Sequence, residues 1–129
     1  MATTQYLEIF YADAINSQAE INELFSFLEK DQKNKNLIDA LFMKFHVLKG
    51  NAMGLGFKAI ESMAHVLEDI FRVIREGKLE LNHIILIEIK SGIQILRKLI
   101  ESLISKEKVT YLSGKTRLGA ILNELQNIE

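Results

Sequence analysis

A chain of 129 residues, 48% of them apolar and with a formal net charge of −1, is long enough to bury one continuous core without metal or disulfide support, so residues 1–129 are expected to form a single domain. The absence of cysteine excludes a disulfide framework, thiol catalysis and thiolate metal sites, and the interspersed acids and bases leave no basic stripe for nucleic acid. Proline is absent, glycine falls mainly near apparent helix ends, and Leu, Ile, Glu and Lys dominate, which points to an all-α fold.

Residues 4–28 repeat apolar side chains at helical spacing (Leu7, Phe10, Tyr11, Ala14, Ile21, Leu24, Phe25, Leu28) and give way to a polar, solvated turn containing Lys33 and Lys35. The opening MATTQYLEIF has no basic region followed by an apolar one and does not read as a secretory signal. A second helix is predicted over 36–54, with Ile38, Leu41, Phe45, Leu48 and Ala52 on one buried face and Gly54 and Gly56 at its end. The third, over 58–76, buries Ile60, Met63, Ala64, Leu67, Phe71 and Ile74, and Gly77 stands where a left-handed cap is favoured.

Asn82 is a suitable N-cap for a long fourth helix over 82–107, with His83 solvated in its first turn. Glu88, Lys90, Arg97, Lys98 and Glu101 interrupt its apolar run too often for a bilayer span, so a soluble cytoplasmic protein with no membrane partner is expected. Ile84, Ile87 and Ile95 widen its apolar surface, which calls for cover. A fifth helix over 115–128, carrying Leu118, Ile121, Leu122, Leu125 and Ile128, can supply it after a polar turn at Ser113 and Gly114. Short connections between the first four helices favour an antiparallel up-and-down four-helix bundle with the fifth helix added.

On the second helix Lys49, Gly50 and Met53 lie within about 60° of His46, while the core stripe is centred roughly 120° away, which puts His46 at the rim of the core. An exposed neutral imidazole is a nucleophile, and a phosphoryl group on it needs nearby positive charge and room. Lys49 can supply the charge. Gly50, one turn on, removes a side chain from the space a phosphoryl group and its carrier would fill, at about 1 kcal/mol relative to alanine. On the third helix Glu61, His65, Glu68 and Arg72 share a polar face, so an acid or a second imidazole is available to hold one ring nitrogen of His46 and leave the other for attack.

FHVLKGNAMGLGF followed by AHVLEDIFRVIREGKLELN resembles the N-terminal phosphotransfer domain of chemotaxis-type histidine kinases, the CheA family, and QYLEIFYADA is similar to that family's first helix. The resemblance is close from about Tyr6 to Asn82 and holds only by pattern beyond. It implies a histidine phosphotransfer (HPt) domain phosphorylated on His46, with Lys49, His65 and Glu68 as its hydrogen-bonding network and with Gly50 and the Gly56–Phe57 pair holding the helix turn. It further implies transfer from an ATP-bound kinase domain to an aspartate of a response-regulator receiver domain, with ATP and magnesium supplied by partner domains and no cofactor held by this chain.

Val47 stands where such domains often carry a small polar residue. No segment resembles the family's dimerisation, ATP-binding or receptor-coupling domains, so the chain is expected to be a monomeric module of a larger kinase or a free-standing carrier, not an enzyme on its own. Met43, Val47 and Met53 are apolar yet lie off the core face, which marks them as candidates for docking the receiver. The competing readings are a purely structural or docking bundle and a His/Glu metal site. The latter would need three or four converging ligands and would be opposed by the Lys49 ammonium.

Overall fold

The structure, a computed structural model, describes residues 4–128, with side chains through Leu125. Five helices and no strand are found among the described residues: α1 (Thr4–Lys30), α2 (Lys35–Leu55), α3 (Lys58–Arg75), α4 (His83–Ser105) and α5 (Leu112–Ile128). No helix among them is long and apolar enough to cross a membrane. Each of the first four packs on two of the others in the order α1, α2, α3, α4 and back to α1, while α5 lies on α3 and α4.

The helix ends follow from local chemistry. Asn34 caps α2 by accepting from the Leu37 N–H at 3.1 Å, and Asn82 caps α4 by accepting from the Ile85 N–H at 2.9 Å, each satisfying a donor that the first helical turn leaves open. Gly56 closes α2 in the left-handed region at φ 79°. Its N–H donates to Met53 O, and the next N–H, of Phe57, donates to Ala52 O at 2.9 Å, the paired bonds of a Schellman turn. Gly77 does the same for α3 at φ 76°, with the Lys78 N–H reaching Val73 O. Phe57 then folds its ring against Phe10 of α1, centroids 5.0 Å apart, so the α2–α3 connection is fixed in both hydrogen bonding and packing.

The core joins Phe10, Ile21 and Leu28 of α1 to Leu41, Phe45 and Leu48 of α2, Met63, Leu67 and Phe71 of α3, and Ile89, Leu96 and Ile100 of α4. Phe45 and Phe71, both fully buried, meet at 5.6 Å across the α2–α3 seam, and truncating either to alanine would cost about 3–5 kcal/mol. Gln18 interrupts the α1 stripe as a buried polar group, its Nε2 donating to Ile93 O of α4 at 3.1 Å.

The start of α5 differs from the sequence expectation. Ser113 and Gly114 belong to its first turn, and the polar turn lies over 106–111 instead. Gly114 is a packing residue: a Cβ there would run into Ile95 Cδ1 of α4. Gly92 of α4 plays the reciprocal part, since a Cβ would come within 2.8 Å of Leu118 Cδ1 and 3.2 Å of Leu67 Cδ2. Glycine therefore permits close approach here where the sequence suggested a break. The cover supplied by α5 is also narrower than expected. Leu118 is fully buried and Ile95, Ile121 and Leu122 pack against the core, but Ile84 and Ile87 remain exposed. The side chain of Ile128, expected on the same face, lies outside the described residues.

Candidate functional site

Phe45 and Leu48 lock the buried face of α2, which leaves His46, one residue round from Phe45, at the edge of the α2–α3 seam with its side chain 52% exposed. The two-residue connection through Gly56 and Phe57 returns α3 beside α2 and brings Glu68 level with His46. Glu68 does not share the solvent face expected for it. It adjoins Leu67 in the seam, and its carboxylate is almost wholly buried beneath the imidazole.

Three basic side chains converge on this carboxylate. His46 Nδ1 lies 2.7 Å from Glu68 Oε2, Lys49 Nζ lies 2.8 Å from Oε1, and Arg72 Nη2 lies 3.1 Å from Oε2. Burial, the largest influence, pushes the Glu68 carboxyl upward, but hydrogen bonds and charge from Lys49 and His46 together outweigh it. The carboxyl stands below its ordinary value and is ionised at neutral pH. An ionised carboxylate only accepts, so Nδ1 carries the hydrogen and donates it, and in the neutral ring Nε2 holds the free lone pair.

His65 stands apart from the ring to which the family resemblance had linked it. Its exposed side chain points along α3, with Nε2 3.4 Å from Asp69 Oδ2, and Asp69 in turn pairs with Arg72 Nη1. His46, His65 and Glu68 therefore do not converge as three ligands on one point. Phe42, which sequence reasoning missed, stacks on the His46 ring at 6.2 Å and 16° and carries the guanidinium groups of Arg75 at 4.9 Å and Arg72 at 5.6 Å.

Gly50 is exposed in the interior of α2, and a Cβ there would meet nothing within 4 Å. The fold itself does not need this glycine, unlike Gly56. Met43, Val47 and Met53 are all exposed. Val47 and Gly50 border a groove of about 380 Å³ between α1 and α2, lined also by Ile9, Asp13 and Gly54, and Met53 borders the neighbouring hollow at the Gly56–Phe57 turn.

The Hpt domain family model matches residues 5–105. The chain belongs to the Hpt domain family. This Hpt domain is 28% identical over 96 residues to the chemotaxis protein CheA of Borreliella burgdorferi, a match covering 74% of this chain and 11% of that protein. It is 27% identical over 119 residues to CheA of Bacillus subtilis, covering 89% of this chain and 18% of that protein. It thus spans between about a tenth and a fifth of the length of these curated relatives. Among solved structures, the CheA phosphotransferase domain from Thermotoga maritima superposes with a TM-score of 0.75 at 24% identity, covering 81% of this chain and 99% of that one. A histidine phosphotransfer domain of CheA superposes with a TM-score of 0.79 at 21% identity, covering 93% of each. The Hpt domain thus shares their all-helical fold.

Proposed function

We propose that this Hpt domain is a phosphohistidine carrier of chemotaxis-type two-component signalling, in which His46 takes a phosphoryl group from an ATP-bound kinase domain and delivers it to an aspartate of a response-regulator receiver domain. One observation supports this: the buried Glu68 carboxylate lies 2.7 Å from Nδ1 of a half-exposed His46, an arrangement that leaves Nε2 free to act as the nucleophile. Nε2 attacks the γ-phosphorus of ATP, the bond from that phosphorus to the bridging oxygen breaks, and ADP leaves with the electron pair. Glu68 stabilises the positive charge that develops on the ring, and Lys49 answers the charge on the phosphoryl oxygens. In the second half the receiver carboxylate attacks the same phosphorus and His46 leaves as the neutral imidazole.

The carrier is not an enzyme by itself. ATP and magnesium come with the kinase domain, and this chain binds no cofactor. We further propose that α1 to α4 run up and down in antiparallel order with α5 as a lid, that residues 1–129 act as one monomeric module in the cytoplasm, and that the receiver docks over Met43, Val47 and Met53. The test is phosphorylation by a chemotaxis-type kinase core with labelled ATP. Acid-labile label that disappears in His46→Gln is expected. Undiminished label in His46→Gln, or label that survives acid, overturns the assignment in favour of a docking bundle or another acceptor.

A further inference from the structure

Glu68 places one negative charge under His46, and two permanent cations meet it, Lys49 on Oε1 and Arg72 on Oε2. The second cation shares the oxygen that the ring uses, Arg72 Nη2 at 3.1 Å beside His46 Nδ1 at 2.7 Å. A carboxylate bonded to an imidazole orients it, but the same charge favours the imidazolium. An imidazolium has no lone pair on Nε2 and cannot attack phosphorus. A site made of His46 and Glu68 alone would therefore aim its nucleophile and partly disable it.

Lys49 cannot correct this throughout the reaction, because its flexible stem must let the ammonium turn toward phosphoryl oxygens. Arg72 is held differently. Its Nη1 is taken by Asp69, and its head lies 5.6 Å from the centroid of Phe42, the ring that stacks on His46. The other charges nearby are engaged elsewhere: Lys44 of α2 with Glu20 of α1, Arg75 of α3 with Asp39 of α2, and His65 with Asp69 within α3.

We propose that Arg72 is a positioning residue of the phosphoryl-accepting site: by sharing Glu68 Oε2 with His46 Nδ1, it lets the carboxylate orient the ring while keeping the ring neutral and able to attack. This role rests on His46 being the phosphoryl acceptor, but its physical signature belongs to the unphosphorylated domain. Arg72 acts through Glu68, whose Oε2 accepts from its Nη2.

The experiment follows the His46 Cε1 proton by NMR against pH in the parent, Arg72→Gln and Arg72→Lys, with labelling by the kinase core measured across the same range. Removing the charge that shares Glu68 Oε2 should move the His46 midpoint upward. Arg72→Lys, which keeps the charge, should restore the parental midpoint. Labelling of Arg72→Gln should fall on the acid side of the profile and recover at alkaline pH, whereas a merely structural loss would lower it equally at every pH. A parental or lower midpoint in Arg72→Gln, or the same upward shift in Arg72→Lys, overturns the proposal. Absence of label in the parent would instead sink the carrier reading, with the titration still deciding what Arg72 does to the ring.

Discussion

Replacing Gly50 by alanine separates what the fold wants from what the chemistry wants. Gly50 lies inside α2, five residues before its end at Leu55, and its Cβ position is open to at least 4 Å. Alanine there removes a helix penalty of about 0.5–1 kcal/mol and adds no clash. For a domain of this size that raises the midpoint of thermal unfolding by about 2–5 °C. Residues four apart on a helix have Cβ atoms about 5–6 Å apart, so the added methyl enters the space through which a phosphoryl donor or acceptor reaches His46. Displacing the reacting atoms by an ångström costs up to about a hundred-fold in rate, and a loss of about 10- to 100-fold in single-turnover labelling is expected. Gly119→Ala on α5, where a Cβ also meets nothing within 4 Å, is the control: a similar gain in stability with parental labelling. A lowered melting temperature in Gly50→Ala, or labelling at the parental rate, would refute the reasoning.

Glu68→Ala and Lys49→Ala should each slow labelling by about 10- to 1,000-fold while helix content by circular dichroism remains, and an unchanged rate in Glu68→Ala would remove the carboxylate from the mechanism. Because the Glu68 carboxyl is depressed in the folded domain, its stabilisation is complete above the ordinary carboxylate value and is lost as pH falls through the lower folded one. Urea titrations should therefore show the stability gap between parent and Glu68→Gln narrowing on acidification below about pH 4.5; a gap that widens contradicts the assigned ionisation. Val47→Asp and Met43→Asp should weaken transfer to the receiver with folding intact, since both side chains are exposed, and parental transfer in both would move the docking face elsewhere.

Periodicity made the five helices legible, because a buried stripe at helical spacing is a property of the sequence itself. Asn82 and Gly77 were equally readable, since an N-cap oxygen and a left-handed cap each demand particular residue types. What escaped was depth. Glu68 sits one residue from Leu67, and only the closeness of α2 and α3 decides that it lies under a neighbour and not in water. The same blindness misplaced the start of α5, as a glycine that breaks a helix and a glycine that admits Ile95 look alike in one dimension. Phe42 lies one turn before His46, and Arg72 stands at i,i+4 from Glu68 and i,i+3 from Asp69, spacings the sequence contains, but nothing in one dimension says which of these side chains turn toward His46.

A carrier must release what it accepts, and the shared carboxylate bears on both halves of that cycle. On the proposed reading, a phosphoryl group on His46 would bring on the order of two negative charges and would draw Lys49 away from Glu68 Oε1. That oxygen is buried and is met by the Lys49 ammonium as an ion pair at 2.8 Å, and leaving a buried charge without its counter-ion costs at least about 1–3 kcal/mol. Lys49 would thus stabilise the phosphorylated state only by weakening its hold on Glu68, and the gain would be partly cancelled. The cancellation would keep a phosphohistidine from becoming a sink, and return of Lys49 to Oε1 would favour onward transfer to the proposed receiver. Arg72 is paired with Asp69 and with the other oxygen of Glu68, so if it kept these contacts through both steps the carboxylate would not stand unpaired beneath the ring.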